Sequence, residues 1–340
     1  MEIEKQELIK ILTMIKPGLS NKAIIEETTH FIFTGKQIVT YNDRICILYP
    51  FKTDFSCSIP ADQFFKILNG VKVDKIKIDF EEDKIKIKSK GLNASLSTMS
   101  GENIIEMISV IDIDKMKADK KSLPEDFKEA ITMCLFSVSK DLTNPAMTCL
   151  FINKNNIAST DDLRISEYAM KAKIKESILL PASSAVQLIK YSFDEYSVSE
   201  DNNWISFFNK EGLCFCCRLI EGEFPDYKEL IQDFESEEIE LPKEIKSMIE
   251  TAAISADGET DIEKEIEIKF EDGLILLKGQ GKISKIETYS KAKIKDNITF
   301  KINPFFMSKI IDHTHSMFLG EGKALFKSGE FRHVIALKGE

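Results

Sequence analysis

"SIPADQFFKILNGVKVDKIKIDFEEDKIKIKS", residues 58–89, contains in order a short strand, a proline, an amphipathic helix and two further strands. In the first of these two strands Ile76, Ile78 and Phe80 alternate with charged residues. An alternation with a period of two is typical of an antiparallel sheet that has one face in solvent. The stretch therefore predicts a helix beside an antiparallel sheet, and an α+β fold.

The same order of elements recurs twice along the chain. Residues 179–219 and 301–337 repeat it, and each copy has a proline where its helix is expected to begin. Pro181 follows Pro60 by 121 residues, and Pro304 follows Pro181 by 123. Proline suits the first turn of a helix, where its missing N–H would have had no partner. Repetition at a fixed period predicts three tandem copies of one building block.

Each copy also opens with an amphipathic helix. Its apolar residues have the i, i+3, i+4, i+7 spacing that places them on one helical face. The three stripes are Leu8, Ile11, Leu12 and Ile15; Phe127, Ala130, Ile131, Cys134 and Leu135; and Ile245, Met248, Ile249 and Ala252. We therefore predict domains over residues 1–112, 122–232 and 238–340, with charged linkers at 110–124 and 232–242.

The composition limits the class of protein. The chain has 340 residues, 43% of them hydrophobic, and a formal net charge of −10. This charge argues against a broadly basic nucleic-acid-binding surface, although it leaves room for a local basic patch. No apolar run approaches the 18 or so residues of a membrane span, and "MEIEKQELIK" is not a signal peptide. Seven cysteines, an odd number, suit a reducing compartment, so we expect a cytoplasmic protein with no membrane partner.

Chemical motifs are scarce. "CFCC" (Cys214, Cys216 and Cys217) alternates like a strand and has no second cysteine pair nearby, which favours buried thiols over a metal site. His313 and His315 could form half a metal site, but no adjacent ligand completes it. The chain contains no Gly-rich phosphate loop, nucleophile elbow or HExxH helix. We therefore expect no enzymatic activity, no metal and no cofactor.

Two motifs, taken together with the three copies of the building block, resemble one family. "STDDLRISEY" (159–168) and "RLIEGEFPDY" (218–227) are similar to segments of the bacterial DNA polymerase III beta subunit, the sliding clamp. The resemblance implies three tandem clamp domains, with antiparallel sheets outside and paired helices inside, forming a ring as a head-to-tail dimer. It also implies a function without chemistry, in which the ring encircles duplex DNA and tethers the replicative polymerase as a processivity factor.

Within this resemblance, the polar sides of the helices are expected to face DNA, together with loops that follow the first helices. The candidates are Lys10, Lys22, Lys66, Lys140, Gln187, Lys190, Lys243 and Lys309. Contacts from lysine to the phosphate backbone carry no base information, so DNA would be bound independently of its sequence. The alternative is that each lysine is simply a solvated side chain. Glu129 also points outward, which would leave the bore unevenly charged.

The resemblance also implies a cleft between domains 2 and 3 that receives short peptides from the polymerase and the clamp loader. The matching residues are Thr160, Asp162, Leu163, Arg164, Ile165, Ile231, Gln232, Ala336, Leu337 and Lys338. The sequence departs from the family pattern here, with Asp162 and Leu163 in place of glycine and histidine and Gln232 in place of proline. The chain also ends in "HVIALKGE" rather than a Met/Pro/Arg-rich tail. Alternatively, Asp161 and Arg164 form a turn-stabilising pair.

Ring closure would require two sheet edges that pair across subunits of a homodimer. "NASLSTM" (93–99) and "AAISADGET" (252–260) match or precede the expected edges, which makes Leu96 and Ile254 the interface candidates. A second interpretation of the whole chain is a divergent clamp-fold protein, from a phage or accessory system. Such a protein would bind replication proteins without encircling DNA.

Overall fold

The structure is a computed structural model that describes residues 1–22, 24–233, 236–294 and 297–337. The α-helices within these ranges are α1 (Lys5–Ile15), α2 (Ala61–Gly70), α3 (Glu102–Ser109), α4 (Ile113–Ala118), α5 (Phe127–Cys134), α6 (Ala182–Leu188), α7 (Ile245–Ala253) and α8 (Pro304–Ile311). Short 3₁₀ helices occur at Lys16–Gly18, Glu26–Thr29, Leu135–Ser137 and Pro145–Thr148.

The strands of the first half of the chain are β1 (Glu2–Glu4), β2 (His30–Thr34), β3 (Gln37–Tyr41), β4 (Ile45–Pro50), β5 (Ser56–Pro60), β6 (Lys75–Glu81), β7 (Lys84–Ser89), β8 (Leu92–Ser97), β9 (Lys121–Ser122), β10 (Cys149–Asn153), β11 (Asn156–Thr160) and β12 (Arg164–Ala169). The remaining strands are β13 (Ser177–Pro181), β14 (Glu195–Val198), β15 (Trp204–Phe208), β16 (Cys214–Arg218), β17 (Glu238–Glu240), β18 (Ile266–Glu271), β19 (Leu274–Gln280), β20 (Lys285–Lys291), β21 (Ile298–Ile302), β22 (Ser316–Gly320), β23 (Lys323–Ser328) and β24 (Phe331–Ala336). All recorded strand pairs are antiparallel, which confirms the predicted α+β class.

The first compact unit comprises residues 1–125 and 183–221. Its described residues form an eight-stranded sheet of order β5-β2-β3-β4-β16-β15-β14-β9 and a four-stranded sheet of order β1-β6-β7-β8. Pairing of β4 with β16 joins the two halves of the larger sheet, with Ile47 opposite Phe215. α1 packs against β4 and α2.

The second compact unit comprises residues 126–182 and 222–340. Where it is described, it repeats the plan of the first, with one sheet of order β13-β10-β11-β12-β24-β23-β22-β17 and another of order β20-β19-β18-β21. β12 and β24 join the larger sheet, with Ile165 opposite Val334. α5 packs on β11 and β12, and α8 packs on β24. Each larger sheet combines strands from two predicted domain ranges, and the ranges themselves stay a prediction.

The predicted helical stripes form the buried faces of α1, α5 and α7. All members of the three stripes are buried except Leu135, which is partly exposed and follows the last residue of α5. Burying apolar side chains stabilises a fold by about 25 cal/mol for each Å² removed from water. The periodic apolar residues that predicted these helices are therefore also the residues that pack them against the core.

The repeated prolines differ from the prediction in their exact position. Pro60 and Pro181 are the last residues of β5 and β13, one residue before their helices begin. Pro304 alone is the first residue of its helix, where the Asn303 side chain caps the helix by accepting hydrogen bonds from two backbone N–H groups at 3.0 Å. The ring fixes φ near −65°, which suits the end of a strand leading into a helix as well as the first turn.

Both predicted linkers contain regular structure, and their role as connections between domains stays a prediction. Residues 110–124 include α4 and β9, and α3 directly precedes them. Ile111 and Met116 are buried in a core cluster with Val39 and Trp204 of the same unit. Residues 232–242 include β17, and its central Ile239 is buried. Charged residues make up nearly half of both segments, but a few well-spaced apolar side chains are enough to hold them against the core.

Candidate functional site

The segment "TDDLRI" is a tight turn between β11 and β12. Thr160 Oγ1 donates a hydrogen bond to the carbonyl of Arg164 (2.9 Å), and Asp161 Oδ1 accepts one from the Arg164 N–H (3.1 Å). Asp162 has a φ of 71°, in the left-handed region that favours glycine but also tolerates aspartate and asparagine. The aspartate that stands where the family resemblance places a glycine is therefore compatible with the turn.

One face of the larger sheet in the second unit carries an apolar cluster beside this turn. We call it the Ile165 cluster; its buried members are Ala158, Ile165, Tyr227, Ile231, Leu325 and Val334, with Phe151, Phe224 and Phe318 partly buried against them. The Phe151 and Phe224 rings stack with their centroids 5.0 Å apart. Phe224 and Tyr227 belong to "EGEFPDY", so this segment reaches the sheet through two aromatic anchors. Ile165 and Ile231, predicted to share a pocket, do lie together.

A buried polar contact fixes the same segment. The Tyr227 hydroxyl donates to Glu167 Oε2 at 2.6 Å, and the Lys228 ammonium group contacts the same carboxylate oxygen. Burial and the adjacent Glu167 carboxylate raise the pKa of Tyr227 well above its usual range, so the phenol stays protonated and acts as the donor. Charge-assisted hydrogen bonds of this kind are stronger than neutral ones.

The last described strand borders the turn. Leu163 accepts a hydrogen bond from the Ala336 N–H (2.8 Å), and Leu337 donates to the Gly322 carbonyl (2.8 Å). Leu163 and Leu337 are partly exposed, whereas Asp162, Gln232 and Ala336 are exposed. These predicted pocket residues therefore reach the surface around the turn. Lys338, the remaining one, lies outside the described residues.

Arg164 lies apart from this group, because successive residues of a strand point to opposite sheet faces. Its Nε donates to Asp161 Oδ2 (2.9 Å), and its Cζ lies 4.0 Å from the Phe306 ring centroid and 5.8 Å from that of Phe136. The side chain is only 7% exposed. The predicted turn-stabilising pair of Asp161 and Arg164 is thus present, and the guanidinium does not share the face of the Ile165 cluster.

His333, on the neighbouring strand β24, is fully buried. His333 Nδ1 is 2.9 Å from Ser166 Oγ, which in turn is 2.6 Å from Ser137 Oγ. The ring is 0% exposed. Burial, together with the nearby charge of Arg164, holds the pKa of His333 well below its usual range, so the ring is neutral at physiological pH.

The predicted DNA-facing residues are at the surface in both units. Lys10, Lys22, Lys66, Lys140, Lys190, Lys243 and Lys309 are exposed, and Gln187 is partly exposed. Lys190 Nζ donates to Gln187 Oε1 at 2.6 Å, so these two candidates of the first unit form one polar group. In the second unit, burial and the charges of Arg164 and Lys140 lower the pKa of Lys309. Lys309 and Phe306 both belong to α8, and the Phe306 ring centroid lies 4.0 Å from Arg164 Cζ.

The predicted interface residues have different settings. Leu96 is partly exposed on β8, the edge strand of the four-stranded sheet in the first unit. Ile254 is 75% exposed but follows α7 and belongs to no strand. The corresponding edge strand of the second unit is β20, where Tyr289 is 76% exposed. The sequence predicted no interface residue on β20, although "KIETYSK" alternates like a strand.

The chain offers little metal or membrane chemistry where it is described. All seven cysteines are buried and unpaired, including the three of "CFCC", in which Cys214 Sγ lies 3.5 Å from Cys216 Sγ. Over the described ranges, no group of three or more His, Cys, Asp or Glu side chains is arranged to hold a metal ion. No helix in those ranges is long and apolar enough to cross a membrane.

Comparison with known proteins identifies the likeness. The chain is 28% identical over 174 residues to a beta sliding clamp of Rickettsia felis, a match that covers 47% of this chain and 45% of that protein. It is 20% identical over 321 residues to a beta sliding clamp of Chlamydia trachomatis, covering 88% of this chain and 73% of that one. No family model matches.

The structural comparison covers the whole chain. The crystal structure of the beta subunit from DNA polymerase of Streptococcus pyogenes superposes with a TM-score of 0.85 at 16% identity, covering 100% of this chain and 99% of that one. A putative DNA polymerase III beta subunit from Eubacterium rectale gives a TM-score of 0.84 at 18% identity. The predicted resemblance to the sliding clamps and the clamp fold are confirmed. The chain matches the first of these relatives over less than half of that protein's length.

Proposed function

We propose that this chain is a sliding clamp that encircles duplex DNA and tethers the replicative polymerase as a processivity factor in the cytoplasm. The likeness to clamp structures over the full length of the chain carries the proposal. Exposed lysines on the helices of an acidic chain support it. A closed ring holds DNA by topology, so a few weak, sequence-independent phosphate contacts suffice and leave the ring free to slide. No step in this function requires catalysis, a metal or a cofactor.

In this proposal two chains close the ring head to tail. The free edges of β8 and β20 support it, since an unpaired strand edge presents backbone N–H and C=O groups that another strand can pair with. β8 carries no charged residue between Leu92 and Ser97, whereas β20 carries Lys285, Glu287 and Lys291. The two edges are thus different surfaces, as a head-to-tail interface requires.

Partner proteins would bind the second unit through short linear peptides, as the family resemblance implies. The surface beside the Ile165 cluster supports this. The partly buried apolar side chains of Phe151, Phe224 and Phe318 pack against the cluster, and the turn that contains the exposed Asp162 adjoins it. We assign the peptide to the face that holds Ile165 and Ile231. The residues at its margin are Thr160, Asp162, Leu163, Gln232, Ala336 and Leu337. Apolar peptide side chains would fill the cleft, and the polymerase and clamp loader would compete for it.

The test combines oligomeric state with topological retention. Light scattering on the purified full-length protein should give the mass of two chains. After loading by the clamp loader of the same organism, the protein should stay on nicked circular DNA through a high-salt wash and leave when the circle is linearised. A protein that remains a single chain and is never retained, yet binds the polymerase, would instead support the divergent clamp-fold interaction protein.

A further inference from the structure

A pocket of about 320 Å³ lies in the first unit, between α4 and the turn that joins β14 to β15. Its apolar side includes Met116 of α4, which is buried, and Val110, which is 72% exposed. This volume is at the lower end of the range for ligand sites in proteins. The pocket therefore fits one long side chain or a short peptide segment rather than a large ligand.

The pocket lies on the sheet face that corresponds to the Ile165 cluster. The two larger sheets share one arrangement of eight strands, and Cys46 and Ile165 are each the second residue of the fourth strand. Residues directly opposite one another on four adjacent strands form a row: Cys46, Cys216, Ser206 and Ser197 in the first unit, and Ile165, Val334, Leu325 and Phe318 in the second. Phe318 packs against the Ile165 cluster, and the small Ser197 at the equivalent position leaves a space.

The Ser197 hydroxyl lacks a hydrogen-bond partner. Ser197 is 0% exposed, and its Oγ makes no hydrogen bond among the described residues. It lies opposite Ser206, whose Oγ donates to Met116 Sδ at 3.3 Å, so both side chains point towards α4. The Ser197 hydroxyl is therefore directed into the pocket. A buried polar group without a partner costs free energy, so a ligand that hydrogen-bonds to it would be stabilised.

The rim of the pocket carries an excess of negative charge. Its described lining residues include four carboxylates and one lysine, namely Asp112, Asp119, Glu200, Asp201 and Lys115. Lys115 pairs with Glu200 at 2.5 Å, and Lys121 lies 3.7 Å from Asp119. Asp112 and Asp201 have no ion-pair partner in the part of the chain that the structure describes. The rim is therefore complementary to a cation.

We propose that this pocket is a docking site for a lysine or arginine side chain of a partner protein, separate from the Ile165 cluster. The methylene stem of that side chain packs against Met116 and Val110. Its charged head donates to Ser197 Oγ, and the field of Asp112 and Asp201 stabilises the charge. The same rim repels the phosphates of DNA, so the occupant is a protein. The inference goes beyond the proposed function and does not depend on it, since binding here needs neither DNA nor a second chain.

Methyl NMR of the full-length protein, labelled on its methionine methyl groups, measures the binding. The Met116 signal is identified by its loss in Met116→Leu. The probes are acetyl-Leu-Arg-Leu-amide, acetyl-Leu-Lys-Leu-amide and, as the neutral match, acetyl-Leu-Gln-Leu-amide. Both cationic peptides should shift the Met116 signal to saturation, and the glutamine peptide should bind about tenfold more weakly because it carries no charge.

Asp112→Asn and Asp201→Asn each remove one charge and keep a side chain of the same shape. Each should weaken binding of the arginine peptide about threefold, as expected for the loss of one exposed charge contact. Ser197→Phe introduces the side chain that Phe318 supplies in the second unit, and it should abolish binding. The matched control is Asp83→Asn in the turn between β6 and β7, where an exposed aspartate also has a left-handed backbone, and it should bind as the wild type does.

Three results would overturn the site. The first is a Met116 signal that neither cationic peptide shifts. The second is equal affinity for the glutamine peptide, or unchanged affinity for the arginine peptide in both aspartate variants, which would exclude recognition of charge. The third is saturation by spermidine without any response to the peptides, which would assign the pocket to a free polyamine. In each case the clamp function stands, because retention on circular DNA tests it separately.

Discussion

Arg164 and Ile165 are adjacent in the chain, yet their side chains lie on opposite faces of the same sheet. Ile165 packs with Ile231 and Val334, whereas the Arg164 guanidinium lies 4.0 Å from the Phe306 ring centroid on the helix side. β12 begins at Arg164, so the alternation of a strand separates the two residues. The motif "TDDLRI" therefore serves two surfaces, and substitutions at neighbouring positions should have different consequences.

Substitutions at the margin of the Ile165 cluster should weaken partner binding. Leu163→Ser and Leu337→Ser each remove a partly exposed apolar side chain from the margin of the proposed peptide face. We expect each to reduce affinity for the replicative polymerase about tenfold, equivalent to about 1.4 kcal/mol. Surface plasmon resonance with the immobilised polymerase measures this.

Two controls define that result. Leu142→Ser, in an exposed loop of the same unit, removes a side chain of the same kind away from the cluster and should bind as the wild type does. Retention on circular DNA should stay normal in Leu163→Ser and in Leu337→Ser. Full polymerase affinity in Leu163→Ser and Leu337→Ser together would show that the peptide binds elsewhere.

A charge on the β20 edge should open the proposed ring. Tyr289 is 76% exposed on this strand, so Tyr289→Glu adds a charge to the surface without removing a buried group. Charges on an edge strand oppose pairing with another strand, and the protein should shift from two chains towards one at micromolar concentration. Light scattering measures the shift, and Leu142→Glu is the matched charge-adding control. A Tyr289→Glu protein that remains a dimer would exclude β20 from the interface.

Stability should fall as the pH drops below about 6.5, the ordinary pKa of histidine. The pKa of His333 is lowered by burial first and then by the charge of Arg164, and burial also lowers the pKa of His30. Below pH 6.5 the unfolded chain therefore binds protons that the folded chain does not. The free energy of unfolding should decrease by at most about 1.4 kcal/mol per pH unit for each histidine, until the lowered folded-state pKa is reached.

Urea unfolding at pH 7.5, 6.5 and 5.5 measures this dependence. His333→Gln should flatten the profile by removing the contribution of the second unit, and His30→Gln should do the same for the first. The doubly substituted protein should have the flattest profile of the four. If the slope of the double variant between pH 6.5 and 5.5 equals that of the wild type, the buried histidines are not the cause.

Tyr227→Phe should destabilise the second unit. The change removes one of the two contacts to Glu167, a carboxylate whose side chain is only 11% exposed, and keeps the ring in the Ile165 cluster. Leaving a buried acceptor short of a partner costs about 1–3 kcal/mol. Chemical denaturation measures the loss, and Tyr289→Phe, at an exposed tyrosine, is the control. An unchanged midpoint in Tyr227→Phe would mean that Lys228 alone satisfies the carboxylate.

The sequence by itself determined the local elements and their repetition. The stripes of α1, α5 and α7 and the alternating strands follow from periodicities of 3.6 and 2, which depend only on neighbours in the chain. The motifs around Arg164 and Tyr227 identified the clamp fold by their resemblance to a family. Each motif is a short continuous segment, so the sequence alone was enough to recognise it. The exposed lysines of the helices followed from the same helical spacing.

Only the tertiary structure decided which distant segments meet. The pairing of β4 with β16 and of β12 with β24, the helix within residues 110–124, and the β20 edge all depend on contacts between residues far apart in the chain. Phe136 and Phe306 enclose Arg164 from two such segments, so no local pattern could assign that arginine to the helix side. Local periodicity specifies which face of an element is apolar, but the packing of the whole core decides what that face meets.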